Sequence, residues 1–103
     1  MTSLSTHVLD AARGEPAADL AVVVSRSNAQ VAAAHTDSDG RIRFAVVLDP
    51  GDYRLHFATG AWFAGTGRES FYPSVELHVT IGEGHTHVAL LLSPFAYTTY
   101  RGS

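Results

Sequence analysis

Apolar and polar residues alternate with a period of two along most of this chain, the spacing that puts successive side chains on opposite faces of a strand. The clearest run is "SVELHVTI" (74–81), where Val75, Leu77, Val79 and Ile81 share one face and Glu76, His78 and Thr80 the other. "YRLHFAT" (53–59) repeats the pattern, "LAVVVSR" (20–26) is β-branched, and "LSTHVLD" (4–10) and "RIRFAVVL" (41–48) read as further strands. "AQVAAAHT" (29–36) carries alanines that favour helix, but it is short and lies between strands, so it is read as strand. Turn chemistry punctuates these runs: "DSDGR" (37–41), with Gly40 supplying positive φ, "DPGD" (49–52) and "GEG" (82–84). "AARGEPAADL" (11–20) is a loop, and "GAWFAGTGRESFYP" (60–73) has room for one or two helical turns. Seven or eight short strands at this spacing predict an all-β sandwich, built as a single domain over residues 1–103.

"HTHVALLLS" (85–93) departs from simple alternation. Val88, Leu90 and Leu92 share one face with Thr86, yet the opposite face holds Ala89 and Leu91 beside His85 and His87. A sandwich strand needs only one buried face. The second apolar face therefore predicts a cover, most simply another subunit, with the histidines at the edge of that interface. The chain closes on "YTTYRGS" (97–103), a dense set of aromatic, hydroxyl and guanidinium groups attached directly to this strand region.

Composition narrows the function classes. A net charge of −3 offers no footprint for nucleic acid, and 46% hydrophobic residues with 17% charged describe a folded domain. All seven basic residues are Arg. There is no Cys, which excludes disulfide stapling, thiol catalysis and thiolate metal sites. The opening "MTSLSTHVLD" lacks the basic and apolar regions of a secretory leader, and no run has the length of a membrane span. A cytoplasmic address without membrane contact is the expectation.

Candidate chemistry centres on histidine. His56 and His78 fall at polar phases of alternating strands and are expected to face solvent, and His35 before a turn says little. His7, His85 and His87 are more informative, because His85 and His87 point the same way and His7 lies in the first strand. Such a set serves either general acid–base catalysis or zinc ligation with an open position for water.

Taken together, "LSTHVLD", "GEPAADLAVVV", "TDSDGRI", "GDYRLHF", "ESFYPSVELHV" and "HTHVALLLSPFAYTTYRGS" resemble the 5-hydroxyisourate hydrolases, the transthyretin-related enzymes of purine degradation. The resemblance runs from Leu4 to Ser103, and its most diagnostic part is the closing Tyr-Arg-Gly-Ser, which transthyretin lacks. The connection before "GDYRLHF" is short for the family, and Phe95-Ala96 stands where an aromatic–glycine pair is more usual; neither touches the motif residues. The resemblance implies an eight-stranded sandwich of two four-stranded sheets, with one short helix near residues 60–66. It implies a homotetramer whose active sites lie where dimers meet. It also implies hydrolytic opening of the 5-hydroxyisourate ring without a metal or other cofactor.

Carried residue by residue, the family's catalytic positions fall on His7, Arg41 and His87, and its substrate-binding positions on His7, Arg41, Tyr100 and Ser103, with His85 as a companion. His7 and His87 would activate water and deliver a proton, and Arg41 would hold carbonyl oxygens through its forked donors. Three rivals are a transthyretin-like carrier of a small ligand, a zinc hydrolase using His7, His85 and His87, and a purely structural sandwich.

Overall fold

The structure, a computed structural model, describes residues 2–102. Among them are nine strands and one helix: β1 (Thr2–Asp10), β2 (Glu15–Pro16), β3 (Ala21–Arg26), β4 (Ala29–His35), β5 (Arg41–Arg43), β6 (Gly51–Phe57), α1 (Thr59–Gly65), β7 (Val75–Ile81), β8 (Gly84–Ser93) and β9 (Ala96–Gly102). One sheet has the order β4-β3-β6-β7. The other runs β2-β1-β8-β9, with β5 also paired to β1. Alternate side chains of both sheets meet between them. Leu4 and Val8 of β1 and Leu90 and Leu92 of β8 pack with Val22, Val24, Leu55, Phe57, Val75 and Ile81, all fully buried. Burial of each such side chain contributes about 1.5–3 kcal/mol.

The two-sheet sandwich and the helix agree with the sequence expectation; the details of one sheet differ. Residues 11–20, read as loop, contain the two-residue β2, giving nine strands where eight were expected and five in that sheet where four were expected. The run 41–48 is strand only over Arg41–Arg43. Beyond it the chain still follows β1, since the Phe44 N–H donates to the Leu4 carbonyl and the Leu48 N–H to the Thr2 carbonyl. Burial of Phe44 and Leu48 anchors that segment, so its alternation reports core contacts rather than a continuous ladder.

Two pairings position the site. β1 and β8 run parallel over their full common length, from Thr2 opposite Gly84 to Asp10 opposite Leu92, and so join the two ends of the chain. β9 then pairs antiparallel with β8, which makes Ala96–Gly102 an ordered edge strand. At the other end of β1, Asp10 is only 1% exposed and accepts a 2.6 Å hydrogen bond from Arg68, whose guanidinium also lies over the Trp62 and Phe63 rings. Burial alone would raise the Asp10 pKa, but the Arg68 and Arg13 contacts outweigh it and hold the carboxyl below its ordinary value. This pair ties the helix region to the first strand.

Candidate active site

The candidate chemistry lies on the outer face of the β1–β8 sheet. In β1 the inner positions are Leu4, Thr6 and Val8, so Ser3, Ser5 and His7 point outward. In β5, Ile42 is buried and Arg41 and Arg43 are exposed. The registers align these residues in rows. Arg41 is opposite His7, His7 opposite Ala89, and Ala89 opposite Tyr100, one row across four strands. The next row is Arg43, Ser5, His87 and Gly102. With strands about 4.8 Å apart, His7 and His87 are diagonal neighbours roughly 8 Å apart at Cα.

The turn before β5 sets Arg41 in place. The Asp37 carboxylate accepts the backbone N–H groups of Asp39 (2.9 Å) and Arg41 (3.0 Å), and the Gly40 N–H donates to the Asp37 carbonyl. The Arg41 N–H is the main cause holding the Asp37 carboxyl below its ordinary value; the Asp39 N–H and the positive charges of Arg41 and His7 add to it, against a desolvation cost. Gly40 has φ +74°, and a Cβ there would run into the Val8 carbonyl, so only glycine lets the turn lie this close to β1. Thr36, buried just upstream, bonds the Ala17 carbonyl and the Leu20 N–H and fixes the base of the turn.

Each histidine is held differently. His7 Nε2 lies 3.0 Å from the Asp39 carbonyl, which can only accept, so Nε2 carries the hydrogen and Nδ1 is the open atom. His87 is half-buried with Nδ1 2.7 Å from Ser5 Oγ, and no described residue bonds its Nε2. Its pKa is lowered from 6.5, first by burial and then by the positive charges of Arg41, His7 and His85. It is therefore neutral at pH 7, with one nitrogen free to accept a proton. His85 is exposed and bonded at both nitrogens, Nδ1 to Ser3 Oγ (2.6 Å) and Nε2 to Ser5 Oγ (2.8 Å).

A cleft of about 290 Å³ opens on this face, lined by Ser5, Arg41, Arg43 and His87 with Asp37 at the turn. Among the described residues, no carboxylate pairs with the Arg41 or Arg43 guanidinium. The cleft thus offers forked cationic donors and a neutral imidazole, a set suited to a planar, oxygen-rich anion. His7, His85 and His87 do not converge as a ligand set, and the described residues contain no group of three or more His, Asp or Glu able to hold a metal ion.

Of the residues singled out in the sequence, His7, Arg41 and His87 are brought together, with His85 beside them. Tyr100 shares the row of His7, yet it is 56% exposed and its contacts are with a more apolar cavity of about 270 Å³ between the edges of β7 and β9. Ser103 lies outside the described residues. Sequence reasoning missed Ser3 and Ser5, although both share the face of His7 at a period of two. It also missed the reason for Gly102: the His87 ring lies over it, and a Cβ there would sit 2.5 Å from His87 Cδ2. With the ring in this position, a side chain at 102 would displace it. Finding this needed the β8–β9 register.

The family described as HIUase/Transthyretin matches residues 4–102. The 5-hydroxyisourate hydrolase of Mus musculus is 43% identical over 111 residues, covering 97% of this chain and 94% of its own. The structure of Klebsiella pneumoniae 5-hydroxyisourate hydrolase superposes with a TM-score of 0.95 at 43% identity, covering 100% of both chains. Sea bream transthyretin in complex with thyroxine superposes with a TM-score of 0.89 at 35% identity, covering 96% of this chain and 93% of its own. With the family matched over nearly its whole length and the fold shared throughout, this chain belongs to the HIUase/Transthyretin family.

Proposed function

We propose that this protein hydrolyses 5-hydroxyisourate, opening its ring at the amide-type C–N bond to give a carboxylated ureido-imidazoline in urate degradation. The observation that carries the reading is the neutral His87, its Nε2 open, in a cleft whose Arg41 has no carboxylate partner among the described residues. His87 Nε2 takes a proton from water while the water oxygen attacks the ring carbonyl carbon. His7, its Nε2–H committed to Asp39, aligns that water through Nδ1. Arg41 donates to the carbonyl oxygen as it gains negative charge. When the tetrahedral adduct collapses, the proton on His87 Nε2 passes to the leaving nitrogen. Tyr100 and Ser103 complete the substrate contacts from the closing segment.

The likeness to transthyretin raises a carrier as the alternative, and the closing Tyr-Arg-Gly-Ser favours the hydrolase. We place the enzyme in the cytoplasm as a homotetramer with sites where dimers meet. That assembly would explain why the outer face of β8 carries Ala89 and Leu91 beside the histidines. Light scattering should then give four times the 11.0 kDa chain mass. The activity test follows the decay of freshly generated 5-hydroxyisourate by ultraviolet absorbance. Wild-type protein should accelerate it, and His7→Ala, Arg41→Ala and His87→Ala should each lose about 10²-fold or more. Ligand retention without turnover would support the carrier instead.

A further inference from the structure

A continuous hydrogen-bonded chain leads away from the proposed base. Ser5 Oγ touches both His87 Nδ1 (2.7 Å) and His85 Nε2 (2.8 Å), and His85 Nδ1 reaches Ser3 Oγ (2.6 Å). The parallel register builds it, because Ser3 and Ser5 stand directly opposite His85 and His87. A hydroxyl has one hydrogen to give, so Ser5 donates to one imidazole and accepts from the other. If His87 Nε2 is the base, its hydrogen is on Nδ1, and the polarity of the whole chain is fixed. His87 Nδ1–H donates to Ser5, Ser5 donates to His85 Nε2, and His85 Nδ1–H donates to Ser3.

We propose that Ser5 and His85 form a proton relay that carries the charge acquired by His87 out to the solvent-exposed His85 and returns it for departure of the leaving group. This rests on the hydrolase reading. In the forward direction, a proton arrives on His87 Nε2 and the Nδ1 proton moves to Ser5 Oγ. The Ser5 proton moves to His85 Nε2. His87 ends neutral with Nε2–H, and His85 ends as an imidazolium bonded to Ser3 and Ser5. Protonation of the leaving nitrogen by His87 Nε2–H reverses both transfers, so protons balance over the cycle and no co-reactant is needed.

The electrostatics give the relay its purpose. His87 is faced by Arg41 and Arg43 from β5, His7 from β1, His85 from its own strand, Tyr100 from β9 and the Asp37 carboxylate from the turn. A positive charge there is opposed first by burial and then by the positive charge of Arg41. At His85, one row farther from Arg41 and exposed, water solvates the same charge. Ser5 and His85 are positioning residues in this scheme, acting through His87.

Steady-state kinetics on the intact protein with freshly generated 5-hydroxyisourate test it. Ser5→Ala removes the link, and His85→Gln keeps a hydrogen-bonding partner for Ser5 but cannot hold a proton. Each should lower kcat about tenfold with KM little changed. The double variant should be no slower than either single one, and Ser5→Thr should restore the rate. The solvent isotope effect in mixed H2O and D2O should curve for the wild type, as for several protons in flight, and become linear in Ser5→Ala. All four variants change only residues of the outer face, and thermal melts confirm folding. A wild-type rate in His85→Gln, or additive losses in the double variant, would overturn the relay while leaving the hydrolase intact. No turnover by the wild type would overturn both.

Discussion

The outer face of each sheet carries histidines beside an arginine in register. On the β6–β7 side the charges are matched: Arg54 lies 3.8 Å and His56 3.7 Å from Glu76, and Thr80 donates to Asp52 at 2.8 Å. These are exposed contacts, worth about 0–1 kcal/mol each. On the β1–β8 side, the strand positions of the face hold His7, Arg41, Arg43, His85 and His87 but no acid, and the nearest carboxylate, Asp37, is occupied with backbone N–H groups. Histidine on a strand is uninformative by itself. What separates the two faces is that the charges of one are paired, whereas among the described residues the Arg41 and Arg43 guanidinium groups of the other have no carboxylate partner.

The sharpest break of this comparison is histidine for histidine. His87→Ala should lower kcat for 5-hydroxyisourate about 10³-fold, whereas His78→Ala should leave it unchanged; equal losses would show that the two faces are not functionally distinct. Next is Gly102→Ala. Its methyl would displace the His87 ring, and loss of about 10²-fold in kcat is expected with a much smaller change in melting temperature. Third, Arg43→Glu gives the cationic face the acid that the other face has. It should raise KM about tenfold and raise the His87 pKa, moving the acid limb of the kcat/KM profile to higher pH.

The pH dependence sharpens the same point. The base acts when neutral and its pKa is lowered, so kcat/KM should be flat at neutral pH and fall only below 6.5. Arg41→Gln removes a positive neighbour, so the fall should begin at higher pH; because burial remains, it should stay below 6.5. An unmoved profile would mean that Arg41 does not act on His87. The smallest effect belongs to the matched face: Glu76→Gln should change unfolding free energy by less than about 1 kcal/mol and leave activity intact.

Much of the strand inventory was legible from period-two alternation and turn residues, because a half-buried strand writes its burial directly into neighbouring positions. The run 41–48 misled because burial of Phe44 and Leu48 imitates strand alternation where the ladder has ended. His7, Arg41 and His87 were legible as candidates from their place in the motifs. Their roles were not, since no local pattern states which nitrogen is free.

The sequence by itself determined the sandwich and the set of residue types from which a site is made, consequences of local spacing and side-chain chemistry; the helix position came from the family resemblance. Tertiary structure decided how those residues meet. Pairing across some 80 positions set Ser3 and Ser5 against His85 and His87. The β8–β9 register placed Gly102 under an imidazole, and the turn packed against β1 turned the Asp37 carboxylate to backbone N–H groups, so that among the described residues the Arg41 guanidinium has no carboxylate in an ion pair. Register and electrostatic environment depend on residues distant in the chain, and for that reason they became readable only once the strands were paired.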